Sequence, residues 1–170
     1  MANTNLTQHE IEINLAKALG WPKVLVAYNV NGWGQNLPLF HECDMLVLSK
    51  SGYLTEIEIK RSFEDFKNDF KKKHQHDNSE LIKYFYYAVP HSIAEKCVQY
   101  FIEHGEYEAG FYEYFDDGWV CNVNVPIPQG KKKRKFRKLT TEEQFQIARF
   151  GAMRAVSLRE KIIRIQKKNS

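Results

Sequence analysis

Apolar positions near the start of the chain recur at helical spacing. Ile11, Leu15, Ala18 and Leu19 share one face, behind Thr7-Gln8-His9-Glu10, a Thr-x-x-Glu capping box, and ahead of Gly20 and Pro22. A first helix over 8–19 is expected. The period then falls to two. Val24 to Val30 is a β-branched-rich run closed by Asn31-Gly32, and Phe40 to Ser49 carries apolar residues on both faces toward its end, with the loop chemistry of Gly32 to Pro38 between them. Tyr53 to Arg61 alternates strictly, with Thr55, Ile57 and Ile59 on one side and Glu56, Glu58 and Lys60 on the other. Ser62 then caps a helix whose stripe is Phe63, Phe66 and Phe70 and whose end is the basic cluster Lys71, Lys72, Lys73 and His74. Tyr84 to Val89 predicts an aromatic strand, followed by a helix from about Ser92 to His104 and a stop at Gly105. Ala109 to Phe115 and Trp119 to Ile127 flank the hairpin signal Asp116-Asp117-Gly118. A last helix over 141–166 repeats Phe145, Ala148, Ala152, Val156 and Ile163, a spacing that predicts core packing. The order α-β-β-β-α-β-α-β-β-α predicts an α/β domain with a mixed central sheet.

At 170 residues, 43% hydrophobic and 27% charged, the chain has room for one core and enough apolar side chains to fill it. A single domain over 1–170 is expected, with its core at about 7–127, the basic run at 131–138 and the last helix beyond. No apolar run exceeds about seven residues, and the first residues have neither a basic nor an apolar signal region, so the cytosol is the expected compartment. Cys43, Cys97 and Cys121 are odd in number and widely spaced, which disfavours a disulfide scaffold or a zinc finger. Charge is unevenly distributed. Residues 1–130 carry 11 Lys+Arg against 18 Asp+Glu, net −7, and residues 131–170 carry 14 against 3, net +11. A polyanion would be drawn to the C-terminal part and repelled by the body unless cations neutralise the acids there. This combination suits a metal-dependent nucleic-acid enzyme.

The chemistry concentrates around one predicted hairpin. Lys50-Ser51-Gly52 matches a three-residue loop with Gly at the position of positive φ, so paired residue numbers sum to 102. Asp44 then lies opposite Glu58, Glu42 opposite Lys60, Leu46 opposite Glu56 and Leu48 opposite Leu54. Two carboxylates facing each other across a ladder repel, so a cation is expected between them. Oxygen-only ligation by Asp and Glu favours Mg²⁺ or Mn²⁺ over zinc. Lys60 projects to the same face, where an ammonium stabilises the charge that phosphodiester hydrolysis develops.

Asp44, eleven intervening residues, Glu56 and then Glu58-Ile59-Lys60 resemble the PD-(D/E)xK nuclease motif, on the helix-strand-strand-strand-helix-strand order of that superfamily. More narrowly, Thr55 to Ser62, Asp65-Phe66, Asp69, Lys71 to His74 and Tyr86 to Pro90 resemble its MmcB-like group, and similar small proteins occur in phages and mobile elements. The likeness covers roughly Thr7 to Pro90. Cys43 stands where the motif's name has proline.

The resemblance implies a restriction-endonuclease-like αβββαβ core with a C-terminal hairpin and long helix added. It implies that Asp44 and Glu58 bind Mg²⁺ or Mn²⁺, with the Ile59 carbonyl as a further ligand, while Lys60 activates or orients water. Glu42 and Glu56 would be accessories. A helical Glu serves the metal in some members, and Glu10 or Glu12 fits that role. DNA is the implied substrate, in repair, recombination or phage DNA metabolism, within a bacterial or phage-infected cytosol. The basic residues Lys71, Lys72, Lys73, His74, Lys131, Lys132, Lys133, Arg134, Lys135, Arg137 and Lys138 are the candidate phosphate contacts, although Lys131 to Lys138 reads equally as a solvated tether. A catalytically silent nucleic-acid-binding protein on the same fold is the alternative. A homodimer is compatible with the sequence without being indicated by it. His41 is read as ending a strand, and Tyr84 to Tyr87 as core and sheet residues.

Overall fold

The computed structural model describes residues 4–31, 37, 39, 41–71, 79–105, 107–123 and 135–168. Four helices and six strands follow the expected order: α1 Gln8–Ala18, β1 Leu25–Asn31, β2 Glu42–Leu48, β3 Leu54–Ile59, α2 Phe63–Lys71, β4 Ile82–Pro90, α3 His91–His104, β5 Gly110–Tyr114, β6 Val120–Val123 and α4 Thr141–Lys168. The sheet runs β1-β2-β3-β4-β5-β6 in sequence order. β1, β2 and β3 are antiparallel neighbours, β3, β4 and β5 are parallel, and β6 turns back on β5. This is a mixed α/β fold. The expected strand Trp119 to Ile127 is seen as β6 up to Val123, and residues 124–127 lie outside the described residues.

Local chemistry accounts for these elements. Thr7 and Glu10 close the capping box of α1 in both directions. Ser62 Oγ accepts from Asp65 N at 3.1 Å at the start of α2. Gly52 adopts φ 82°, where a side chain would be strained, and Ser49 N donates to Tyr53 O at 3.0 Å to close the predicted loop.

Both faces of the sheet are covered. One cluster joins Ile11 and Leu15 of α1 to Met45, Val47, Ile57, Ile59, Ala88 and Tyr114. On the other face Leu46, Leu48, Leu54, Phe85 and Tyr87 meet Phe66 of α2 and Ala94, Cys97 and Phe101 of α3. The two crossovers β3-α2-β4 and β4-α3-β5 join parallel strands, and connections of one hand place both helices on a common face. Polar residues of β3 therefore face a covered side rather than solvent: Glu56, Glu58 and Lys60 are 0%, 7% and 4% exposed.

Two core expectations need correction. Of α4 only Ile147 is buried among the described residues, whereas Phe145, Val156 and Ile163, expected in the core, are half or more exposed. Gly151 lies against β1, since a Cβ there would stand 3.1 Å from Val26 O, and the helix continues past that contact. Tyr84 is also exposed, although Phe85 and Tyr87 beside it are buried. Among the described residues no helix is long and apolar enough to cross a membrane.

Candidate active site

The β2–β3 ladder keeps the predicted register for Leu48↔Leu54, Val47↔Thr55, Leu46↔Glu56 and Met45↔Ile57. It stops there. Asp44 is not placed opposite Glu58 in the ladder, because its carboxylate Oδ2 accepts from Ile59 N at 2.9 Å, a donor that a continuing ladder would give to a backbone carbonyl. The strands part at this point, and Asp44 fills the gap. Glu42 is corrected more fully. It pairs with Asn31 of β1 and its side chain is exposed, while Lys60 lies beyond β3 and donates its N–H to Ala88 O of β4.

Lys60 is held from two sides. Its Nζ lies 3.1 Å from Glu58 Oε2 and 2.7 Å from Asp69 Oδ1 of α2. Asp69 in turn accepts from Tyr87 OH at 2.9 Å, and that hydroxyl lies 2.6 Å from Tyr107 OH. Burial alone would drive the ammonium toward neutrality, but Glu58 and Asp69 outweigh it and hold the Lys60 pKa above its ordinary value. Lys60 is therefore a fixed positive charge at neutral pH rather than a base. A buried ionic triad of this kind adds little stability relative to an apolar replacement. Its position at the C-terminal end of β3, beside the parallel strand β4, is where open α/β sheets place ligands.

Of the two helical candidates, Glu10 lies at the surface and Glu12 on the buried face of α1. Glu10 is exposed and its Oε2 takes Thr7 N at 2.7 Å, a bond that lowers its pKa, so it caps the helix instead of reaching the sheet. Glu12 is 5% exposed. Its Oε2 lies 3.1 Å from His9 Nδ1, and its Oε1 has no hydrogen-bond partner among the described residues. A buried carboxylate oxygen left in this state costs free energy until a proton, a water or a cation completes it.

The surroundings of Asp44 also disfavour a bare carboxylate. Burial raises its pKa above the usual carboxylate range, Ile59 N–H and Lys60 oppose the rise, and Asp65 and Glu12 add to it. Because the folded value is the raised one, ionising Asp44 destabilises the metal-free protein, and stability is lost as pH rises through its titration. Asp44→Asn keeps an oxygen for Ile59 N–H and removes the charge. The metal-free variant is expected to melt above the wild type at neutral pH. The difference should close as pH falls below about 4, where Asp44 becomes protonated in the unfolded chain as well. Thermal melts in a chelator across that range measure it.

Asp69, which the sequence offers only within the resemblance, is the second partner of Lys60. Lys71 is exposed at the end of α2, 2.9 Å from Asn68 Oδ1 and 3.9 Å from Glu64. Lys72, Lys73, His74, Lys131, Lys132, Lys133 and Arg134 lie outside the described residues. Arg137 forms a two-pronged pair with Glu143 at 2.7 and 2.6 Å, and Lys138 lies over the Tyr53 ring. Leu139 N bonds Gly52 O at the β2–β3 turn. Arg137 and Lys138 thus flank the turn end of the hairpin, about 20 Å of strand from Glu58. Lys135 is exposed on the same segment.

No family model and no curated protein matches the chain. Among solved structures it is similar to a protein of unknown function from Silicibacter pomeroyi, SPO1766, with a TM-score of 0.57 at 17% identity over 96% of this chain and 95% of that one. This likeness is one of fold.

Proposed function

We propose that the chain is a Mg²⁺- or Mn²⁺-dependent nuclease of the PD-(D/E)xK type that hydrolyses DNA phosphodiester bonds. The observation that carries this reading is Asp44 at the point where β2 and β3 part, under the electrostatic influence of Glu12 and of a buried Lys60 that Glu58 and Asp69 hold from two sides. The order α1-β1-β2-β3-α2-β4, with β3 and β4 parallel, supports a restriction-endonuclease-like core. The donor chemistry suits a hard divalent cation: carboxylate oxygens, with Glu12 Oε1 buried and without a hydrogen-bond partner among the described residues. Asp44, Glu58 and Glu12 would hold it, and a bound ion there neutralises phosphate charge and lowers the pKa of water.

The chain's own groups supply the remainder. Lys60, cationic between Glu58 and Asp69, orients the attacking water or faces a phosphate oxygen electrostatically. Asp69, anchored by Tyr87, fixes the ammonium's position without touching substrate. The acidic body needs its cation before a polyanion can approach.

The test is a panel of supercoiled, linear double-stranded and single-stranded DNA incubated with Mg²⁺, Mn²⁺ or chelator. Cleavage is expected only with the ions and is expected to vanish in Glu58→Ala. Wild-type protein that binds DNA and cleaves none of the panel in either ion would replace this reading with the binding-only one.

A further inference from the structure

A second side-chain cluster lies two residues back along β3. We propose that His41, Cys43 and Glu56 form a binding site for one thiophilic divalent ion of the zinc class, separate from the oxygen site of Asp44, Glu58 and Glu12.

The ligand atoms are already gathered. One donor atom from each residue lies within 4.8 Å of the other two. His41 Nε2 lies 3.6 Å from Cys43 Sγ and 2.5 Å from Glu56 Oε1. A tetrahedral zinc, about 2.3 Å from sulfur and about 2.0 Å from nitrogen, sets those two ligands about 3.6 Å apart. The sulfur–nitrogen spacing therefore suits the ion as it stands. The nitrogen–oxygen spacing is a hydrogen bond, and it opens to about 3.3 Å when the ion takes the place of the bridging proton.

The surroundings suit a cation, with a solvent molecule as its fourth ligand. Cys43 and Glu56 are fully buried and the His41 side chain is 10% exposed. Burial, and after it the carboxylates of Glu56, Glu58 and Asp44, hold the Cys43 thiol in its protonated form until an ion replaces the proton. Cys43 gives up its proton to solvent on ligation, and the thiolate and imidazole supply the soft donors that Mg²⁺ does not prefer. His41 precedes β2 and Glu56 lies inside β3, so the ion ties the entry of one strand to its neighbour.

Cobalt titration of the metal-free full chain tests the site independently of any nuclease activity. The expected result is one equivalent of Co²⁺ giving a thiolate-to-cobalt charge-transfer band and the strong visible bands of tetrahedral cobalt, both bleached by Zn²⁺ and unaffected by excess Mg²⁺. Cys43→Ser should lose the charge-transfer band, while Cys121→Ser, Asp44→Asn and Glu12→Gln keep it. His41→Ala should weaken Zn²⁺ binding by at least about tenfold, measured against a chromophoric chelator. A wild-type titration with no thiolate band overturns the proposal, whether or not the variants fold. So does a band that survives Cys43→Ser, or cobalt that Mg²⁺ displaces, which would place the ion on the oxygen site.

Discussion

Lys60→Ala is expected to lower DNA cleavage by a factor on the order of 100 or more while metal-induced stabilisation remains, because it removes one charge-stabilising group and no proposed metal ligand. The substitution also leaves Glu58 and Asp69 buried with their shared cation gone, which typically costs about 3–5 kcal/mol. Folding must therefore be separated from chemistry. Pairing Lys60→Ala with Asp69→Asn removes one of the two stranded charges, so the double variant should melt above the single one and still fail to cleave. Asp69→Asn alone keeps an oxygen for Tyr87 and the charge on Lys60. It should reduce kcat by less than Lys60→Ala and leave KM near the wild-type value, as expected of a positioning residue. Lys60→Arg keeps the charge but cannot match a compact ammonium between two carboxylates, so substantial loss is expected there as well. Single-turnover cleavage and thermal melts with and without Mn²⁺ measure these effects. Wild-type cleavage by folded Lys60→Ala would remove the proposed chemistry from β3.

Much of the scaffold beneath this site is legible in the residues. Lys50-Ser51-Gly52 fixes a three-residue turn, and the turn fixes the register as far as Met45↔Ile57. The parting of the strands beyond that pair is not legible, because it depends on Asp44 taking the Ile59 N–H in place of a backbone carbonyl. Periodicity cannot report a side chain entering a ladder. Asp69 is hidden for a related reason: its role depends on α2 folding back over β3, nine residues after Lys60, and on a tyrosine from β4. The misread stripe of α4 has a geometric cause. A 28-residue helix is about 42 Å long, whereas the seven residues of β1 extend about 23 Å, so the helix outruns the strand beside it. Apolar spacing defines a face of a helix, but it does not say how much partner surface that face will find.

The choice of helical glutamate could have been made from the helix itself, and it yields a large expected effect. Residues advance by about 100° each, which places position 12 between Leu15 and Ala16 on the buried stripe of α1 and position 10 well outside it. Glu10→Gln should therefore leave the capping box largely in place, since Gln keeps an acceptor oxygen for Thr7 N, and leave cleavage intact. Glu12→Gln should behave oppositely. It removes a buried carboxylate that opposes the charge on Asp44, so the metal-free variant should melt no lower than the wild type. The rise in melting temperature on adding Mn²⁺ should shrink, reflecting at least about tenfold weaker binding, the scale on which even outer partners of a metal ligand act. Cleavage should fall with it and recover in part at high Mn²⁺, because occupancy of the site is what has been lost. Lys60→Ala admits no such rescue, since its ion would already be in place. If Glu12→Gln responds to Mn²⁺ like the wild type and Glu10→Gln does not, the two residues have been assigned the wrong way round and the buried oxygen of Glu12 serves some purpose other than a cation.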